Sequence, residues 1–178
     1  MEAWEHTVLK PIEAFRLLAV DYPAHAYLKS VLEEDFPRPD IRRRDGLLQL
    51  TRDPQGAWRV QKPYAGRAAF AGVQQLLDRV FELRAAEFVA DSFAAASLYG
   101  LDDPVAQVTL LGDKRYGEQV LLLGKPVDRN PDQIYATVRG TETVMAVDQA
   151  LLAALDVRAD DLRDRRLLTL PVYEIGYI

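Results

Sequence analysis

Residues 107–147 read QVTLLGDKRYGEQVLLLGKPVDRNPDQIYATVRGTETVMAV. Four runs in this stretch, at 107–111, 119–123, 133–138 and 143–147, are short and rich in Val, Leu, Ile, Thr and Tyr, the composition of β-strands. Between them stand Gly112-Asp113, Gly124 and Arg139-Gly140, residues that favour turns. Connections this short allow antiparallel pairing but not the crossover that a parallel pair needs.

The neighbouring segments fit the same plan. Upstream, 47–51 reads as a strand, Asp53-Pro54-Gln55-Gly56 as a turn, and 57–60 as the returning strand that Pro63 stops. The spacing then predicts a helix over 68–84. It would bury Phe70, Val73, Leu76, Leu77, Val80 and Phe81 and turn Gln74, Gln75, Asp78 and Arg79 outward. A short strand at 87–90 follows, then a brief helix over 93–98 capped by Asp91 or Ser92. Gly100 is placed to end it with a positive φ, and Pro104 comes soon after. Downstream, Asp148 caps a helix carrying Leu151, Leu152 and Leu155. The run Asp160-Asp161-Leu162-Arg163-Asp164-Arg165-Arg166 reads as a solvated helix end or linker, and 172–178 as a last strand. Residues 8–36 are less legible: 12–20 suits a helix or a buried strand, 24–34 a short amphipathic helix, and Phe36-Pro37-Arg38-Pro39 an extended segment. The expected class is α+β, a largely antiparallel sheet with helices packed on one face.

The chain has 178 residues, 49% apolar and 28% charged, with a net charge of −5. This is the composition of one globular domain, and its acidity argues against a nucleic-acid partner. No apolar run reaches the ~18 residues of a membrane span. With no cysteine, disulfides, thiol nucleophiles and Cys-based metal sites are excluded. The first residues lack the apolar core of a signal peptide. The last, Glu174-Ile175-Gly176-Tyr177-Ile178, read as an unfinished strand, the mark of a piece of a longer protein. Two internal echoes stand out. Residues 50–63 and 110–126 both read strand, turn, strand, Lys-Pro, and Val8-Leu9-Lys10-Pro11-Ile12 resembles Leu168-Thr169-Leu170-Pro171-Val172.

Several short pieces, in order, resemble one bacterial family. They are Gly56-Ala57-Trp58-Arg59-Val60, Leu83-Arg84-Ala85-Ala86-Glu87-Phe88-Val89, Tyr99-Gly100-Leu101-Asp102-Asp103-Pro104 and Val108-Thr109-Leu110. Leu121-Leu122-Leu123-Gly124-Lys125, Tyr135-Ala136-Thr137-Val138 and Asp161-Leu162-Arg163-Asp164-Arg165 continue the series. The succession is similar to the domain of unknown function 4340, DUF4340, over about residues 47–168. The resemblance implies a domain found in tandem copies, in proteins with an N-terminal membrane anchor, often encoded beside ABC-type transporters of the gliding-motility type. It implies no catalytic residues. This sequence departs from the pattern by lacking the anchor and by an insertion over 21–45. The organisation expected is one domain over 1–178, with a family-like unit at about 47–168. An N-terminal segment precedes it at 1–46, and 169–178 reads as the start of a following repeat.

Candidate chemistry is sparse. His6 and His25 have no partner nearby in sequence for metal or proton-transfer work. Asp128-Arg129-Asn130-Pro131-Asp132 opens like a calcium loop, but Gln133 replaces the turn glycine and Arg139 the bidentate Glu; it reads as a polar hairpin loop. Gly117 to Lys125 fails as a phosphate loop, with Gln119 for a glycine and Pro126 for the Ser/Thr, so Gly124-Lys125 reads as a turn. Arg42-Arg43-Arg44, with Arg38 nearby, is the one dense basic patch, either a phosphate or anionic-lipid contact or, the preferred reading, a solvated loop. Carboxylates at Glu33-Glu34-Asp35, Asp102-Asp103 and Asp160-Asp161 diverge, as neighbours do, and form no dyad. Trp58 reads as core rather than as an aromatic platform. No catalytic, cofactor-binding or metal-ligating residue is expected.

The sequence therefore points to a non-enzymatic module of a larger bacterial envelope protein. By the resemblance it would lie on the extracytoplasmic face and assist an ABC-type transport system through protein contacts, with transporter components or a second copy as partners. The alternative is a module that binds a small ligand, lipid or glycan. A hydrolase using dispersed carboxylates ranks third.

Overall fold

The computed structural model describes residues 38–92, 95–112 and 117–166. The expected segments at 8–36 and 172–178, with His6 and His25, lie outside the described residues. In chain order the elements are β1 (Arg38–Arg43), β2 (Gly46–Arg52), β3 (Trp58–Lys62), β4 (Gly66–Arg67), α1 (Phe70–Phe81) and β5 (Ala85–Ala90). A 3-10 helix (Ala96–Tyr99), β6 (Ala106–Leu111), β7 (Glu118–Val127), β8 (Asn130–Val138), β9 (Val144–Asp148) and α2 (Ala150–Leu155) follow. The strands form one sheet in the order β4-β3-β2-β1-β6-β7-β8-β9-β5. Every pair is antiparallel. Over the described residues the fold is thus a large antiparallel sheet with two short α-helices.

The order is nearly palindromic. A four-strand meander, β1 to β4, leads into α1, and a second, β6 to β9, leads into α2. The two meet where β1 pairs with β6, from Arg38↔Leu111 to Arg43↔Ala106. After each helix the chain crosses to the other meander. β5 follows α1 and pairs with β9; Arg163 follows α2 and forms a bridge with Ala68, just past β4.

Alternation along the strands sorts their side chains. Ile41, Leu48, Leu50, Trp58, Val60, Val108, Leu110, Leu121, Leu123, Ile134, Ala136 and Val138 belong to one buried cluster. Val73, Leu76, Leu77, Val80 and Phe81 of α1 join it, as do Leu151 and Leu155 of α2. Trp58 is core, 3% exposed, with the Arg52 guanidinium 5.9 Å from its ring centre. A second, smaller cluster of Leu101, Val120, Leu122 and Val144 is backed by Ala96, Tyr99 and Tyr135.

Several local expectations need correction. The first helix runs over Phe70–Phe81, shorter than 68–84, and Phe70 is 55% exposed rather than buried. Phe70 is the first helical residue, and Leu162 already fills the space over this turn. Leu162 is 2% exposed, its carbonyl accepts the Ala69 N–H at 2.7 Å, and a Cβ on Gly72 would meet its side chain at 3.1 Å. Gln74 and Asp78 are half-buried and bonded to each other at 3.1 Å, the favourable i,i+4 geometry. In place of a helix over 93–98 stands the 3-10 helix, preceded by Ala95 and not by a capping Asp91 or Ser92. Phe93 and Ala94 lie outside the described residues.

The charged run at 160–166 is neither helix end nor linker but a docked strap. Besides Leu162, the Tyr64 hydroxyl donates to Asp160 Oδ1 at 2.8 Å, Arg163 lies 4.6 Å over the Tyr64 ring, and Asp164 N–H donates to the Arg67 carbonyl at 3.0 Å. Arg166 donates two side-chain bonds to Asp164, at 3.0 and 3.1 Å. These bonds, with the Arg166 N–H, hold the Asp164 carboxyl below its ordinary range.

Gly124-Lys125 is likewise no turn: both residues lie inside β7, which bulges between Leu123 and Val127. Gly100 has φ +67, as expected, and a Cβ there would meet the Lys125 nitrogen at 3.0 Å. A Cβ on Gly124 would collide with the carbonyl oxygen of Tyr99. The two glycines let the 99–101 backbone lie directly on β7, which in turn seats Leu101 in the second cluster. Gly124→Ala is expected to lower stability by about 1–3 kcal/mol, the usual cost of overpacking against backbone. Urea unfolding checks this, and an unchanged midpoint would show that the contact is slack.

Candidate interaction surface

Side chains opposite the main core gather along β3, β2, β1 and β6. On β1, Pro39 and Ile41 are buried while Arg38 and Arg42 are exposed, the period-two pattern of a half-buried strand. The basic triplet is therefore dispersed, not a solvated loop. Arg43 is on the core side. Its Nη1 donates to the Leu155 carbonyl at 2.8 Å and to Asp156 Oδ1 at 3.1 Å, and its Nε to Asp45 at 3.1 Å. A guanidinium at the last carbonyls of α2 satisfies acceptors that the helix leaves open. Arg44 pairs with Asp103 at 3.4 Å. Arg42 remains on the outer face.

Register sets the rest of this face. Asp40 stands opposite Gln49 on β2 and Thr109 on β6, and Gln49 opposite Lys62 on β3. Arg42 stands opposite Gln107. Gln107 Nε2 donates to Thr109 Oγ1 at 3.0 Å, and Arg139 donates to Gln107 Oε1 at 3.4 Å. Arg59 faces Thr51 and forms an ion pair with Asp53 at 3.6 Å. Arg38, Arg42 and Lys62 have no side-chain hydrogen bond or ion pair among the described residues. A chain that is acidic overall thus carries a cationic sheet face.

Asp40 is the acid at its centre. Gln49 Nε2 donates to its Oδ2 at 3.0 Å, while Oδ1 is buried without a hydrogen-bond partner. Burial pushes the Asp40 carboxyl above its ordinary range, against the lowering influence of the Gln49 bond and of Arg38, Lys62 and Arg42. Desolvation outweighs the surrounding cations here because they approach without forming an ion pair.

The other sequence candidates do not converge. Asp128 and Arg129 form the tight turn between β7 and β8, with Asn130 and Asp132 already in β8; Asp128 pairs with Lys125 at 3.5 Å. Among the described residues no group of three or more His, Cys, Asp and Glu is placed to hold a metal ion. No helix among them is long and apolar enough to cross a membrane. A cleft of about 540 Å³ opens between α1 and α2, lined by Gly72, Gln75, Arg79, Glu82, Ala154 and Val157 among others. By sequence, 36–39 reads as an extended segment and 42–44 as a solvated loop, so the polar row emerges only in the sheet. The alternation Arg38-Pro39-Asp40-Ile41-Arg42 was the signal.

Comparison with known proteins places the chain in a family. The model of DUF4340, described as a domain of unknown function, matches residues 58–178. The chain belongs to this family. No curated protein and no solved structure matches it. The matched span begins at Trp58, the first residue of β3, and leaves out β1 and β2, including the strand that carries Arg38, Asp40 and Arg42.

Asp40 supplies a pH test. A carboxyl whose folded pKa is raised penalises the folded state at pH above that value, and the penalty is relieved as pH falls through it. Asp40→Asn keeps an acceptor for Gln49 and removes the charge. Its melting temperature should equal or exceed that of the parent at pH 7, and the difference should shrink on acidification. A loss of more than about 1 kcal/mol at pH 7 would mean that Arg38, Arg42 and Lys62 stabilise the charged form more than burial opposes it.

Proposed function

We propose that this domain is a non-catalytic contact module of a larger bacterial envelope protein, lying on the extracytoplasmic side and assisting an ABC-type transport system. The observation that carries the reading is the cationic face of β3, β2, β1 and β6. Arg38, Arg42 and Lys62 are exposed there and unpaired among the described residues. A broad sheet face with charged and hydrogen-bonding side chains suits a protein partner better than a small molecule, which binds in a concave, mostly apolar site. In this reading the two helices of the described residues pack on the opposite face and leave this one to the partner. Family membership and the resemblance to proteins encoded beside gliding-type transporters supply the transport context.

A second reading, a small-ligand, lipid or glycan module, is favoured by the cleft between α1 and α2. The immobilised domain should retain purified components of the adjacent transporter, and charge reversal at Arg42 and Lys62 should reduce retention about tenfold or more. Absence of retention, together with a rise of several degrees in melting temperature with a small ligand, would favour the second reading.

A further inference from the structure

We infer that the cationic face of β3, β2, β1 and β6 takes an acidic polypeptide segment in extended form, with acids and hydrogen-bond donors in turn along the one side that faces β1. The inference rests on the contact-module reading and names the chemistry of the partner at the same surface.

Three observations support it. Arg38, Asp40 and Arg42 lie on one face of β1 at every second residue, so the two guanidiniums flank the carboxylate with a repeat of about 6–7 Å. Arg38 and Arg42 stand four residues apart, about 13 Å along the strand, so acids four residues apart on an extended peptide can meet them, with the residue midway between facing Asp40. Lys62 and Arg139 widen the cationic field on either side, with Gln49, Gln107 and Thr109 between them. A segment with acids and donors in turn on one side can therefore pair with cations and hydrogen-bond with the amides between them.

The second observation is the buried, unpartnered Oδ1 of Asp40 beside these cations. It needs a donor. A peptide brings N–H groups and Ser or Thr hydroxyls, whereas a phosphodiester offers acceptors only, which repel a carboxylate. This favours a polypeptide over a nucleic acid or a phosphate-rich lipid surface. The third is the position of exposed apolar side chains. Among the described residues the large ones are Phe70, Phe88 and Leu98, on α1, β5 and the 3-10 helix, and none belongs to the four strands of this face. The apolar side chains beside Arg42 and Arg38, Leu47 and Leu111, are half-buried, so among the described residues the basic patch has no fully exposed apolar anchor of the kind that holds an interfacial protein in a bilayer.

The test uses the full chain and a fluorescein-labelled twelve-residue peptide of Glu-Gly-Ser-Gly repeats, the Glu–Ser peptide, which presents Glu and Ser in turn on one side, followed by anisotropy at low and high salt. A Lys–Ser peptide and vesicles of phosphatidylglycerol with phosphatidylcholine are the comparisons. The Glu–Ser peptide should bind about tenfold or more tightly than the Lys–Ser peptide, and binding should weaken with salt. Arg38→Glu with Arg42→Glu should weaken it about tenfold or more, as should Lys62→Glu alone in smaller degree, with melting temperatures confirming that each variant is folded.

Binding that is insensitive to these reversals, or equal for the two peptides, overturns the inference. Vesicle binding that the Glu–Ser peptide cannot compete away also overturns it, in favour of a lipid surface. If the acidic peptide fails but the transporter components are still retained, the partner chemistry is wrong and the contact-module reading stands. If neither binds, both fail.

Discussion

Pairing of β1 with β6 is the constraint on which the rest of this structure depends. It joins β2, β3 and β4 on one side of the sheet to β7, β8, β9 and β5 on the other. The partners are far apart in sequence, so closing the intervening loop costs on the order of 4 kcal/mol. Burial offsets it: Ile41 and Val108 stand opposite each other, each 1% exposed, and a fully buried side chain of this kind contributes about 1.5–3 kcal/mol. The same strand positions everything on its two faces. Its inward side sends Arg43 to the end of α2, and its outward side presents Arg38, Asp40 and Arg42.

The crossed connections make the two meanders interdependent. β5 completes the sheet beside β9 although it follows α1, and the strap through Leu162 and Arg163 closes the opposite edge beside β4 although it follows α2. β5 thus covers the outer edge of β9, and the strap that of β4, and an uncovered edge is where sheets recruit foreign strands. The strap also supplies the carbonyl that accepts the Ala69 N–H, which matters because α1 begins without a side-chain cap.

What was legible in the sequence was local. Turn residues at Asp53-Pro54-Gln55-Gly56 and Arg139-Gly140, the apolar stripe from Val73 to Phe81, and the left-handed Gly100 all follow from short-range sterics and periodicity. The antiparallel class followed from connection lengths alone. What escaped depends on contacts distant in sequence. Phe70 fits the helical stripe, yet Leu162, far along the chain, takes the space over that turn. Gly124-Lys125 has the composition of a turn, yet the glycine serves a close approach by Tyr99 within a strand. The polar face is a row across strands, and no single segment contains it. Arg42-Arg43-Arg44 looked like one patch, and strand alternation divides it between two faces.

Within the sheet β3 and β4 reach β6 only through β2 and β1, so the family-matching span, 58–178, lacks the two strands that join its sheet into one, and its stability should depend on them. Urea unfolding of chains spanning 38–178 and 58–178, followed by circular dichroism, tests it most directly. The account predicts one cooperative transition for the longer chain and, for the shorter, no cooperative transition or a stability lower by several kcal/mol, from the loss of the seam and its buried side chains. A cooperative transition in the 58–178 chain, with the stability of the longer one, would contradict it.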